Sequence, residues 1–105
     1  IETMEGYENL EEILKVEGLD SLFIGAADLG RSIKGRNDGT ELSVVYEDIC
    51  KRVRARGKYL GVAIGPEREE AERVKNLGAQ WVVFGQDTIV LAKALKANLD
   101  ALADY

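Results

Sequence analysis

The stretch LFIGAADLGRS, residues 22–32, carries the pattern from which the fold is inferred. It begins with an unbroken apolar run, which is typical of a strand buried in a parallel sheet. Small residues follow at 25–27, and Asp28 comes directly after them. Because ligands bind beyond the carboxyl ends of parallel strands, this stretch predicts a buried strand that leads into a candidate site.

Short apolar runs of the same kind alternate with longer amphipathic segments along the rest of the chain. The apolar runs predict strands at 21–25, 59–65 and 81–85, and the amphipathic segments predict helices at 9–16, 41–56, 66–77 and 87–102. If residues 1–3 are the tail of a further strand, the chain contains four successive βα units. This alternation indicates an α/β fold, a parallel sheet covered by helices, in a single domain over residues 1–105. An open doubly wound sheet and half of an eight-stranded barrel both fit the pattern.

The composition excludes several classes of protein. There are 14 basic and 19 acidic residues, and the basic ones are scattered, so nucleic acid is not expected as a partner. No apolar run approaches the roughly 20 residues of a membrane span, and we expect neither a membrane segment nor a secretion signal. The single cysteine, Cys50, excludes an internal disulfide and fits the reducing cytoplasm. The sequence has no histidine, which excludes a Ser/His/Asp triad and a histidine-bound zinc ion within this chain.

Two acidic residues stand where consecutive strands are predicted to end. Glu2 follows the first of these strands, and Asp28 follows the second. If the strands are neighbours, about 4.8 Å apart, the two carboxylates can converge on one small volume. Two carboxylates with open positions suit Mg²⁺ or Mn²⁺, which fill their coordination shells with water and substrate oxygens. The alternative is that Glu2 is a solvated terminal acid and Asp28 a turn residue or helix cap.

The residues around Asp28 extend this candidate site. Small side chains at Gly25, Ala26 and Ala27 let a ligand approach the backbone, so that exposed N–H groups can bind a carboxylate beside the metal. They would equally permit a tight turn. Arg31 is a candidate partner for an anionic substrate, or a solvated loop residue. The segment 32–40, rich in turn-forming residues, predicts a mobile loop that either covers the site or simply connects two elements.

Several motifs in order resemble the HpcH/HpaI aldolase/citrate lyase family of metal-dependent 2-keto-3-deoxy acid aldolases. They are IET, NLEEIL, VEGLDSLFIGAADL, LGVAIG and LGAQWVVFGQDTIVLAKAL, which together cover essentially the whole chain. The family fold is a modified (β/α)₈ TIM barrel, and the resemblance places this chain in its C-terminal half. It implies that Glu2 and Asp28 bind a divalent metal, Mg²⁺ or Mn²⁺ with Co²⁺ as a further option. It also implies that Gly25, Ala27 and Asp28 form the pocket for the carboxylate of pyruvate.

The reaction that the resemblance implies is reversible aldol cleavage of a 4-hydroxy-2-oxo acid, such as 4-hydroxy-2-oxoheptanedioate or a 2-dehydro-3-deoxy-sugar acid, to pyruvate and an aldehyde. The metal would stabilise the enolate as a Lewis acid, without a lysine Schiff base. This chain departs from the family by having Ala26 in place of proline and Gly30 in place of serine. The family's histidine base belongs to the N-terminal half, so no catalytic base is expected within this chain.

The resemblance also implies a homo-oligomer, because the family's last helix packs against a neighbouring subunit and the apolar stretch 89–95 suits such a contact. We therefore expect a fragment of a larger cytoplasmic enzyme that is inactive alone. A second interpretation is a non-catalytic α/β half-barrel module that acts in assembly; the absence of histidine favours it, and the intact acid pair favours the enzyme.

Overall fold

The computed structural model describes residues 1–103 and 105 as a succession of helices and parallel strands. The elements in chain order are α1 (Met4–Glu8), α2 (Leu10–Leu14), β1 (Ser21–Ile24), α3 (Ala26–Arg36), α4 (Leu42–Ala55), β2 (Tyr59–Ile64), α5 (Arg68–Asn76), β3 (Trp81–Phe84) and α6 (Asp87–Ala101). Each predicted strand is therefore present within one residue of its expected limits. The predicted helix at 9–16 begins earlier and is divided into α1 and α2.

The three strands form one parallel sheet in the order β1-β2-β3. Ile1 extends this order on the free side of β1. Its nitrogen donates to the carbonyl oxygen of Phe23 at 2.6 Å, and its own carbonyl oxygen accepts from the N–H of Gly25 at 3.0 Å. This is the parallel pairing expected of a strand tail, although it extends over one residue. Neighbours in the sheet are neighbours in the chain, which is the order of a βα barrel rather than the reversed order of a doubly wound sheet.

The core lies on one face of the sheet, between the strands and helices α1 to α5. Leu22 and Ile24 of β1 and Leu60 and Val62 of β2 point into it and are at most 6% exposed. The helices contribute the other large buried side chains, among them Leu10, Leu29, Ile49 and Val53. The opposite face of the sheet is open, so the apolar runs that predicted burial on both faces are covered on one face only within this chain.

The segment 32–40 was predicted to be a loop, and this prediction was wrong for its first half. Residues 32–36 are the end of α3, which stops where Asn37 adopts a left-handed conformation with φ 52°. Ile33 is buried on this helix, and the Ser32 hydroxyl accepts a hydrogen bond from the Met4 N–H at 3.0 Å. These tertiary contacts stabilise α3 despite its two glycines, whose helix propensity is low.

The last helix, α6, is not packed against the sheet that precedes it. All of its apolar side chains are exposed, from 48% at Ile89 to 69% at Leu99. Val82 and Phe84, on the β3 face that a helix should cover, are 44% and 67% exposed. The molecule is correspondingly elongated, with extents of 60, 32 and 23 Å. Among the described residues, no helix has the length and apolar content that a membrane span requires.

Candidate functional site

Ile1 lies beside the end of β1, so Glu2, the next residue, lies at the start of α3. The side chain of Glu2 lies directly against Gly25: a Cβ atom on this glycine would be 2.5 Å from the Glu2 Cγ and 2.7 Å from its Oε1. These distances are far shorter than normal contacts, so any larger residue at this position would displace the glutamate side chain. The small residue at the end of β1 is thus needed to seat an acid from the neighbouring segment.

The first turn of α3 presents backbone N–H groups at the same place. Gly25 is the N-cap, and no side chain caps the helix there. The first intrahelical bond is donated by the Leu29 N–H to the Gly25 carbonyl oxygen, at 2.9 Å. The N–H groups of Ala26, Ala27 and Asp28 precede it and therefore have no partner within the helix. A helix start of this kind favours a bound anion, because its N–H groups and its dipole both point toward the ligand.

Asp28 lies in that first turn of α3, whereas the sequence left open that it was a turn residue or the helix cap; the cap is Gly25. Its carboxylate is half-exposed and pairs with the guanidinium of Arg31, one helical turn further on. This pair was not expected from the sequence, because the spacing of three residues brings side chains together only on a helix. Glu2 and Asp28 both belong to the elements that meet at Gly25.

The donor set at this edge suits a hard divalent cation. Glu2 and Asp28 are exposed and offer carboxylate oxygens, and Mg²⁺ commonly takes only one or two protein carboxylates together with water and substrate oxygens. Within residues 1–103 and 105, no group of three or more histidine, cysteine, aspartate or glutamate side chains is placed to hold a metal. An all-protein metal cage is therefore absent from this part of the chain, and the two carboxylates fit an open site.

A groove runs beside the start of α3 and ends at the residues that lead into α4. Its volume is about 600 Å³, and its lining includes Ala26, Ala27, Gly30 and Arg31 on one side and Thr40 and Leu42 on the other. The groove was missed by sequence reasoning because it depends on how α3 packs beside α4. Of the predicted site residues, Ala26, Ala27 and Arg31 line it.

A second, largely apolar cavity of about 790 Å³ lies beyond the ends of β2 and β3. Its walls include Phe23, Ile64, Val83, Phe84 and Val90. The acidic run at the start of α5, predicted to be a solvated helix face, has one structural role here: Glu70 accepts a hydrogen bond from the Gly65 N–H at 3.1 Å. This contact closes the loop between β2 and α5.

Comparison with known proteins identifies relatives over almost the whole chain. The sequence model of the HpcH/HpaI aldolase/citrate lyase family matches residues 1–94. A 4-hydroxy-2-oxo-heptane-1,7-dioate aldolase from Escherichia coli is 40% identical over 99 residues, which are 92% of this chain and 37% of that protein. The enzyme of the same name from Klebsiella pneumoniae is 38% identical with the same coverage. The chain thus spans 37% of the length of these curated relatives.

Solved structures share the fold of the chain. The citrate synthase SbnG superimposes with a TM-score of 0.84 at 30% identity, covering 99% of this chain and 43% of that one. An HpcH/HpaI aldolase from Desulfitobacterium hafniense DCB-2 superimposes with a TM-score of 0.85 over 100% of this chain and 41% of its own. At 20% identity the second likeness concerns the fold alone. The chain has the architecture of one part of these larger structures.

Proposed function

Since this chain belongs to the HpcH/HpaI aldolase/citrate lyase family, we propose that the full-length protein is a divalent-metal-dependent aldolase that cleaves a 4-hydroxy-2-oxo acid to pyruvate and an aldehyde. Residues 1–105 would form the C-terminal half of its barrel and carry the metal and carboxylate sites. The observation that carries the proposal is the seating of Glu2 against Gly25, at the head of the helix that bears Asp28. The 40% identity with the heptanedioate aldolase of Escherichia coli supports the choice of substrate class.

Glu2 and Asp28 would hold the metal ion, Mg²⁺ or Mn²⁺, with Co²⁺ as a further candidate. When bound, such an ion supplies Lewis-acid stabilisation of the negative charge that develops on the 2-oxo oxygen. The glutamate reaches this position because Gly25 has no side chain, and the aspartate because it occupies the first turn of α3. Both acids are attached to backbone that ends at the same edge of the sheet.

The start of α3 would hold the carboxylate of the oxo acid. The N–H groups of Ala27 and Asp28 are directed away from the helix interior, and the small side chains at 25–27 allow a ligand to reach them. Hydrogen bonds from backbone N–H groups to a carboxylate are charge-assisted and place the acid in one orientation. With the carboxylate fixed here, the 2-oxo group would lie toward the two acidic residues.

Proton transfer would use a residue from outside this chain. The sequence has no histidine, and Glu70, one of the acids near this edge, accepts a hydrogen bond from the Gly65 N–H. A base from the other part of the barrel would complete the proposed metal and carboxylate site of a chain that spans 37% of the length of its relatives. We also propose that the protein resides in the cytoplasm, where reducing conditions would keep the buried thiol of Cys50 free.

The exposed apolar surface of α6 supports a homo-oligomer. Leu91, Leu95 and Leu99 are 60%, 54% and 69% exposed, and contiguous apolar surface of this kind normally marks an interface. We place α6 against a neighbouring subunit, where these leucines would be buried. The open sheet face with Trp81 and Val83 would be covered separately, by the remaining strands of the barrel.

A second candidate is carbon–carbon bond formation of the citrate synthase type, favoured by the 30% identity with SbnG. Synthesis and cleavage both require a stabilised enolate, so the same acid pair would serve either. The stronger identity with the aldolases makes cleavage the first choice.

The test is release of pyruvate by the full-length protein from 4-hydroxy-2-oxoheptane-1,7-dioate, before and after removal of divalent metal with a chelator. We expect activity that disappears with the metal and returns when Mg²⁺ or Mn²⁺ is added. Asp28→Asn should abolish it, whereas the control Asp20→Asn, which changes an exposed acid at the opposite end of β1, should not. Undiminished activity in the presence of the chelator, or in Asp28→Asn, would contradict the proposal. Complete inactivity of the metal-loaded protein would favour an assembly module.

A further inference from the structure

The Asp28 carboxylate, which the proposed function assigns to the metal, is already paired with a cation of its own helix. Arg31 donates from Nη2 to the Oδ1 atom of Asp28, and the two side chains are 72% and 51% exposed. A metal ion and this guanidinium would compete for the same oxygen atoms. Because both are positively charged, binding of the ion would also be opposed by a guanidinium that stays in place.

Arg31 has a second surface available to it. It lines the groove beside α3 together with Ala26, Ala27 and Gly30, the same stretch that presents backbone N–H groups at the helix start. Gly30 forms part of the groove wall, where an added Cβ atom would contact Leu42 Cδ2 at 3.4 Å. The guanidinium and the N–H groups at the helix start match a carboxylate. The groove is also lined by one further cation, Lys34, and by one acid, Glu41.

We propose that Arg31 changes partners when the site fills: it pairs with Asp28 in the empty site, and with the carboxylate of the bound oxo acid once Asp28 holds the metal. This inference rests on the proposed function and adds a substrate-positioning residue to it. Breaking the exposed ion pair between Arg31 and Asp28 requires little free energy, since such pairs contribute little to stability. The charge-assisted bond to the substrate then replaces the one that was lost.

The exchange of partners by Arg31 links the affinity for the metal to the affinity for the oxo acid. In the empty site Arg31 weakens metal binding by competition and repulsion, and a carboxylate that takes up the guanidinium removes both effects. Metal and oxo acid should therefore each strengthen the binding of the other, by the same factor. Direct contact between the oxo acid and the metal couples the two ligands as well, so the part due to Arg31 is the part of the coupling that Arg31→Gln removes.

The experiment measures Mn²⁺ binding to the full-length protein by electron paramagnetic resonance, with and without pyruvate, in wild type and Arg31→Gln. We expect the variant to bind Mn²⁺ alone about three- to tenfold more tightly, and to bind pyruvate in the presence of Mn²⁺ about tenfold more weakly. Arg31→Lys keeps the charge but loses the planar fork, so it should keep the metal affinity of wild type and still bind pyruvate weakly. The control Lys51→Gln removes one positive charge from the exposed surface of α4, toward the opposite edge of the sheet, and should change neither constant.

The two proposals fail in different ways. If Mn²⁺ binding requires Asp28 but Arg31→Gln leaves both dissociation constants within about twofold of wild type, the partner exchange is wrong and the aldolase site stands. If wild type binds no Mn²⁺, or if Asp28→Asn binds it equally well, the metal site itself is wrong. Weaker Mn²⁺ binding in Arg31→Gln would also overturn the exchange, because it would mean that the arginine supports the metal site instead of competing with it.

Discussion

Replacing Gly25 with alanine should destroy the metal site while leaving the fold intact. The added Cβ atom would lie 2.5 Å from Glu2 Cγ, 2.7 Å from Oε1 and 3.0 Å from Cδ. Normal carbon contacts are about 3.5 to 4.0 Å, so the glutamate side chain must move by about 1 Å or more. Metal–ligand distances tolerate only about 0.2 Å, and a displaced carboxylate therefore no longer completes the coordination sphere.

The cost to stability should be small, since the displaced group is the end of an exposed, flexible side chain. The backbone at Gly25 has φ −83° and ψ 79°, which alanine adopts without strain. We expect the free energy of unfolding to change by less than about 1 kcal/mol and Mn²⁺ affinity to fall by about 10- to 100-fold. Urea denaturation and Mn²⁺ titration of the full-length protein measure the two quantities.

Gly35→Ala is the matched control, because the same substitution is made in the same helix with no atom within 4 Å of the new Cβ. It should stabilise the protein by about 0.5–1 kcal/mol and leave Mn²⁺ binding unchanged. If Gly25→Ala binds Mn²⁺ as tightly as wild type, Glu2 is not a metal ligand. If it unfolds the protein, the glycine has a structural role that these contacts do not account for.

Three other predictions follow from the packing and the charges of the described residues. Gly61→Ala should lower the free energy of unfolding by about 1–3 kcal/mol, because its Cβ would lie 2.2 Å from the ring of Trp81; an unchanged urea midpoint would mean that the ring moves aside freely. Burial raises the pKa of Cys50 from its ordinary value of 9.0 to about 11, so the folded protein holds this proton more tightly than the unfolded chain does. Stability should therefore fall between about pH 9 and 11, and this fall should be smaller in Cys50→Ala, as measured by urea denaturation across that range. Leu95→Glu on α6 should lower the sedimentation coefficient by dissociating the oligomer, and an unchanged coefficient would place the interface elsewhere.

The strands were predictable because their signal is local. Continuous apolar runs at β1, β2 and β3 stand out from the flanking polar residues, and parallel strands need no alternating pattern. Helix α3 was missed because Gly30 and Gly35 are typical of turns, whereas the contacts that stabilise it are distant in sequence. Local propensity was overridden by tertiary packing in this segment.

The candidate site was predictable in outline and not in detail. Strand order alone placed Glu2 beside the end of β1, since the carboxyl ends of adjacent parallel strands lie at one edge. The ion pair between Asp28 and Arg31 and the groove beside α3 both depend on a helix that had been taken for a loop. The apolar pattern of α6 does not reveal whether the helix packs on its own sheet or on another surface, and only the family resemblance implied a contact with another subunit.

The most direct test of the central claim is whether a metal held by Glu2 and Asp28 lies beside a bound oxo acid. Carbon-13 relaxation of labelled pyruvate, measured in the presence of Mn²⁺ and the full-length protein, reports that proximity because the paramagnetic ion broadens the signals of nearby carbons. We predict strong broadening of the carboxylate and 2-oxo carbons in wild type, and its loss in Asp28→Asn. Broadening that persists in Asp28→Asn, or none in the Mn²⁺-loaded wild type, would contradict the account.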